Sequence, residues 1–126
     1  MPRLLLAEDQ DDQRHLYADI LKDAGFEVIE ARNGAEVLAL FQKRKPDILV
    51  LDIQMPGIDG IEALSKVVAK DRLVPVVLHS AYPAYKGNFL TWAADGFVVK
   101  SGEADDLLAT VRRVCEERGI ALPAPL

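Results

Sequence analysis

The apolar positions of this chain alternate between two patterns, short unbroken runs and stripes at helical spacing. Residues 3–7 read as an apolar strand that ends at Glu8 and Asp9. A polar loop at residues 10–12 leads into a helix with Leu16, Tyr17, Ile20, Leu21 and Ala24 on one face, stopped by Gly25. Residues 26–31 give a second strand, whose Glu27 and Glu30 suit an exposed edge. Asn33 caps the next helix with Glu36 at the reciprocal position. Val37, Leu38 and Phe41 form its buried stripe, and Lys43, Arg44, Lys45 and Pro46 end it.

The densest stretch is residues 47–60, DILVLDIQMPGIDG. Ile48, Leu49, Val50 and Leu51 are consecutive and aliphatic, the signature of a strand buried on both faces. Asp52 stands at its end, and Pro56 and Gly57 turn the chain beside it. Asp59 and Glu62 then offer a cap and its reciprocal acid to a third helix carrying Ile61, Leu64, Val67 and Val68. Residues 74–78 read as a fourth strand with Pro75 near its start, and residues 84–94 as a weaker helix holding Tyr85, Phe89, Trp92 and Ala93. A short fifth strand at residues 96–99 ends at Lys100. Residues 103–118 are the clearest helix, with Ala104, Leu107, Leu108, Val111, Val114 and Cys115 in one stripe.

Five strands separated by five helices imply right-handed crossovers and a parallel sheet covered on both faces. All strands of such a sheet end on one edge, so Glu8, Asp9, Asp52, Ser80 and Lys100 are expected to converge there, where ligands of open α/β sheets bind. Composition narrows what that edge can do. The chain is ordinary for one globular domain at 50% hydrophobic and 28% charged, read as residues 1–120 with a loose tail at 121–126 that carries two prolines. A net charge of −5 argues against a nucleic-acid surface and suits a divalent cation better. No apolar run approaches the ~20 residues that span a bilayer, the N-terminus lacks a secretory layout, and single Cys115 forms no internal disulfide. These features predict a cytoplasmic protein with no membrane insertion.

Three clustered carboxylates select magnesium, or manganese, over zinc. Beside such a metal a lysine and a hydroxyl suit a phosphoryl group, whose transfer depends mainly on positioning and charge neutralisation. Asp52, central in the set, is the natural nucleophile. Taken alone, Asp52 reads as a turn residue, Lys100 as a solvated strand end, and Glu8 and Asp9 as caps of the first helix, a task Asp11 or Asp12 also suits. The ordered set favours the chemical reading. His15 and His79 are given no role.

With those residues in order, the chain resembles the receiver domains of two-component response regulators over essentially its whole length. The matching pieces are Glu8-Asp9, Leu51-Asp52 followed by Met55-Pro56-Gly57-Ile58-Asp59-Gly60, Ser80-Ala81, and Val98-Val99-Lys100. The resemblance implies a flavodoxin-like doubly wound (βα)5 fold with a five-stranded parallel sheet in the order 2-1-3-4-5. It implies that Asp52 accepts a phosphoryl group from a sensor histidine kinase or phosphotransfer protein. Glu8, Asp9, Asp52 and the carbonyl of Gln54 would serve Mg2+, Glu8 mostly through water. Ser80 and Lys100 would hold the phosphoryl oxygens, and Phe97 is the aromatic switch position, turning inward as Ser80 moves. Partners would be a downstream target protein or output domain, and a phosphorylation-dependent homodimer through the fourth helix, fifth strand and fifth helix.

Two positions depart from the family. Ser101-Gly102 follows Lys100 where a cis proline is usual; a cis bond to serine costs roughly 3 kcal/mol, so the loop is either trans and reshaped or strained. Phe97 replaces the commoner tyrosine. The serine-glycine pair sustains an alternative, a pseudo-receiver that binds partners without phosphate. A phosphatase acting on external substrates is the third reading, opposed by Gln54 at the place where such enzymes carry a second acid. Tyr82 is expected to lie over the pocket and hinder the hydrolytic water.

Overall fold

Ile48–Asp52 forms the central strand β3, buried at every position. The computed structural model describes residues 2–53, 66, 74–80, 94–100 and 104–122. In it β3 is flanked by β1 (Arg3–Ala7) and β4 (Val76–Ser80), with β2 (Glu27–Ala31) outside β1 and β5 (Gly96–Val99) outside β4. Every pairing is parallel and the order is β2-β1-β3-β4-β5, as expected. The described helices are α1 (Asp11–Asp23), α2 (Gly34–Arg44) and α3 (Ala104–Glu117).

Successive strand residues point to opposite faces, so an unbroken apolar run supplies two cores at once. Leu5, Leu49, Leu51 and Leu78 join Val37 of α2 on one face. Leu4, Leu6, Ile48, Val50 and Val77 join Tyr17, Ala18 and Leu21 of α1 and Leu107, Val111, Val114 and Cys115 of α3 on the other. The chain moves outward from β1 to β2, then crosses back over β1 to β3. Strand order therefore reverses between β1 and β3, and the carboxyl ends of those two strands flank the crevice that results.

Local chemistry explains the element ends. Gly25, at φ 101°, takes the left-handed turn after α1 and donates its N–H to the Lys22 carbonyl. Asn33 Oδ1 accepts the Glu36 N–H at 2.9 Å, the expected cap of α2. The reciprocal bond shifts by one residue, because Glu36 Oε1 accepts from the Arg32 N–H at 2.7 Å while also pairing with the Arg32 guanidinium.

Three expectations need correction. Leu16 is 55% exposed; the buried stripe of α1 is Arg14, Tyr17, Ala18 and Leu21, whose spacing is complete once the arginine is counted. α1 is capped at Gln10 with no side-chain bond, so neither the acid pair Glu8-Asp9 nor Asp11 or Asp12 is its cap. β4 begins at Val76 rather than 74, since Pro75 has no N–H for the ladder and contributes only its carbonyl, to Leu49 N–H at 3.0 Å. Apart from Lys66 and Ala94, the helices read after Asp59 and at residues 84–94 lie outside the described residues, as do the tail from 123 and Gln54, Ala81, Tyr82, Ser101 and Gly102. Among the described residues no helix is long and apolar enough to cross a membrane.

α3 sits close on β5 because Gly96 has no side chain. A Cβ there would lie 2.9 Å from Thr110 Cγ2 and 3.3 Å from Val114 Cγ2. Gly96→Ala is therefore expected to destabilise the protein by about 1–2 kcal/mol through overpacking, read as a lower urea midpoint with an unchanged slope.

Candidate functional site

Each functional side chain is held at the same edge by a strand end. Glu8 follows β1, its N–H bonded to the Ala31 carbonyl of β2 at 3.0 Å. Asp52 closes β3 and Ser80 closes β4. Lys100 follows β5, and its N–H donates to the Ser80 carbonyl at 2.7 Å. The sheet thus fixes the backbone at all four positions.

The side chains meet. Glu8 is 2% exposed and Asp52 6%, while Asp9 is half-buried. Carboxylate oxygens of Glu8, Asp9 and Asp52 all lie within 4.8 Å of one another. The Lys100 side chain, 13% exposed, reaches across the edge toward them. Its Nζ donates to Glu8 Oε1 at 2.9 Å and Oε2 at 3.0 Å, to Gln13 Oε1 at 3.1 Å and to Asp52 Oδ2 at 3.3 Å. Ser80 is fully buried beside this group, on the strand next to Asp52. Phe97 of β5 is half-buried and packs against the core on the α2 face.

Electrostatics follow from this crowding. Burial pushes the Glu8 carboxyl up to about 8, the hydrogen bond with Asp52 adds to the rise, and Lys100 opposes it. Burial disfavours the charged Lys100 ammonium, yet the bonds and charges of Glu8 and Asp52 outweigh it and raise its pKa. Carboxylate oxygens in this number suit a hard divalent cation, with no nitrogen or sulfur donor in the group.

Sequence reasoning missed two residues. Gln13 is the neutral acceptor on Lys100; its only signal is its place in the first turn after the acid pair. Arg14 is buried, and its Nη1 donates to the Glu8 carbonyl at 3.2 Å, its Nε to Glu30 Oε1 at 3.2 Å, and its Nη2 pairs with Asp11 at 2.7 Å. The signal for Arg14 was a charge lying in phase with Tyr17, Ala18 and Leu21. The guanidinium ties the acidic loop to α1 and to the edge strand.

His79 lies beneath the site, paired with Asp52 across the β3–β4 ladder. Its ring meets Tyr17 edge-on, with centroids 4.7 Å apart and planes at 72°. Burial, helped by Lys100 and opposed by Asp52, lowers its pKa to about 4. The imidazole is a neutral packing group.

A doubly wound parallel sheet in this order, with acids and a lysine gathered at its point of reversal, defines a flavodoxin-like protein. The chain belongs to the response regulator receiver domain family, whose family model matches residues 4–112. It is 37% identical over 120 residues to the chemotaxis protein CheY of Listeria monocytogenes, covering 92% of this chain and 100% of that one. The response regulator TrrA of Thermotoga maritima, solved in complex with Mg(2+)-BeF, superposes with a TM-score of 0.87 at 36% identity, covering 90% of this chain and 99% of TrrA. TrrA in complex with the histidine kinase ThkA superposes with a TM-score of 0.84 at 36% identity, covering 90% and 98%.

The depressed His79 pKa has a sign. The unfolded chain takes up its proton near pH 6.5 and the folded chain only near 4, so this contribution to stability is present above 6.5 and is lost as pH falls toward 4. Between pH 7.5 and 5 the unfolding free energy of the wild type is expected to fall by about 2 kcal/mol more than that of His79→Leu. Urea titrations of both proteins at the two pH values measure the difference.

Proposed function

We propose that this chain is the phosphoacceptor of a two-component signalling system, taking a phosphoryl group on Asp52 and changing its partner-binding surface in response. The observation that carries the reading is the Lys100 ammonium 3.3 Å from Asp52 Oδ2, inside an acid cluster at the buried reversal point of the sheet. A nucleophilic carboxylate and a fixed cation side by side are what phosphoryl transfer requires.

An Asp52 carboxylate oxygen attacks the phosphorus of a phosphohistidine on the donor. The new O–P bond forms as the P–N bond breaks, and the departing imidazole takes a proton from solvent. Lys100 and Ser80 bind the phosphoryl oxygens. Water later attacks phosphorus, releasing inorganic phosphate and restoring the carboxylate. Catalysis extends only to the chain's own phosphorylation and dephosphorylation. Glu8, Asp9 and Asp52 would hold Mg2+, and Mn2+ suits the same oxygen donors; Gln54 enters as a further ligand only through the family resemblance. When bound, the cation neutralises charge on the phosphoryl oxygens.

The complex of TrrA with ThkA supports a histidine kinase as donor, and the Mg(2+)-BeF complex of TrrA supports magnesium. On the output side, Ser80 and Phe97 are the switch pair: β4 and β5 are bonded directly through the Ser80 carbonyl, so movement at one strand end reaches the other. A downstream protein or output domain reads that change, and pairing of two phosphorylated copies along β5 and α3 is one form the readout takes. The signalling unit comprises residues 1–120 and acts in the cytoplasm.

The test is intact mass after incubation with acetyl phosphate or phosphoramidate, with and without Mg2+, on the wild type and Asp52→Asn. A metal-dependent gain of one phosphoryl group by the wild type alone is the expected result. No gain under any condition would replace this reading with the phosphate-independent pseudo-receiver.

A further inference from the structure

We propose that Gln13 is a positioning residue for Lys100, holding its ammonium in the direction from which it meets a phosphoryl group on Asp52; the inference rests on the phosphoacceptor reading above. An ammonium has three N–H bonds, and three side chains compete for those of Lys100. Glu8 takes it through both oxygens at 2.9 and 3.0 Å, Gln13 Oε1 at 3.1 Å, and Asp52 Oδ2 at 3.3 Å. The contact with Asp52, where the chemistry occurs, is the longest of the four.

The pull is uneven. Glu8 engages Nζ through both oxygens at the two shortest of the four distances, and without Gln13 the ammonium would be drawn toward Glu8 and away from Asp52. Gln13 supplies the opposing acceptor from the first turn of α1. Being neutral, it directs one N–H without adding a fourth carboxylate to acids already within 4.8 Å of one another. Its own support is firm. The adjacent Arg14 is buried and bonded to the Glu8 carbonyl and to Glu30, so this turn of α1 is fixed relative to both β1 and β2. The amide therefore stands on a rigid base and aims a flexible four-carbon amine.

Gln13→Met keeps the length of the side chain and removes the acceptor. The full chain, labelled with 15N-lysine, gives an Nζ signal for Lys100 assigned by its loss in Lys100→Arg. Expected for Gln13→Met are a shifted Lys100 Nζ signal without added metal and a phosphorylation rate constant with phosphoramidate about tenfold lower at saturating Mg2+, the effect of one lost hydrogen bond to a charged group. The Mg2+ concentration for half-maximal rate should stay within about twofold, because the metal donors are untouched. A role in packing alone would leave both the signal and the rate constant unchanged, and that result overturns the inference while the wild type still takes phosphate. A wild type that takes no phosphoryl group overturns the phosphoacceptor reading, and this inference with it.

Discussion

The site depends on the Lys100 ammonium, whose side chain is 13% exposed. The sheet holds oxygens of Glu8, Asp9 and Asp52 within 4.8 Å of one another, and two carboxylates that close repel by roughly 3 kcal/mol at an effective dielectric of about 20. Water would relieve this at a surface, but Glu8 and Asp52 are buried. Lys100 supplies the relief, while burial first, and the hydrogen bond with Asp52 after it, still hold the Glu8 pKa up at about 8. A site that stays acidic and crowded after internal pairing is one a divalent cation enters favourably. The same crowding makes the site a place for exchange, since every newcomer must displace a partner.

Such a cluster persists only on a stiff frame. Asp52 is the last residue of β3, and Glu8 and Asp9 are the first two after β1, both strands buried between two cores, so the acids cannot drift apart without disturbing those cores. The reversal of strand order between β1 and β3 brings Glu8 and Asp52 together, and Arg14 fixes the loop between β1 and α1 from behind. Gly96 serves the same end at the opposite edge of the sheet, letting α3, on the same face as α1, pack closely on β5, the strand that leads to Lys100.

What the sequence made legible follows from which forces are local. Unbroken aliphatic runs can be buried only in a two-sided sheet, so the strands and the convergence of Glu8, Asp9, Asp52, Ser80 and Lys100 could be read directly, while the strand order came only from the resemblance to receiver domains. Leu16 was misread and Arg14 overlooked because a periodicity argument assumes that the apolar residue is the buried one. Here a guanidinium took the inward position, since Glu30 and the Glu8 carbonyl needed a donor there, and that need is set by residues of β1 and β2. Gln13 was silent for the same reason: an amide in a first helical turn has no signature until the lysine 87 positions away arrives beside it. The start of β4 was missed by two residues because hydrophobicity does not register a missing N–H at Pro75.

The arrangement of Lys100 has a consequence for how such a site can signal. An ammonium with three protons, engaged by Glu8, Gln13 and Asp52, has none to spare for a new anion. A phosphoryl group on Asp52 is therefore accommodated only by redistribution, in which Asp52 ceases to be an acceptor through its original oxygen and the phosphoryl oxygens take its place. The Lys100 backbone is bonded to Ser80, and Ser80 closes the strand beside Asp52, so that redistribution pulls on β4 and β5 together. Phe97 lies three residues before Lys100 on β5, half-buried in the core of the α2 face, where a small displacement of the strand changes how the ring is seated. In the proposed phosphoacceptor, Asp52 and Phe97 are thereby separated by the single strand β4, which pairs with both β3 and β5.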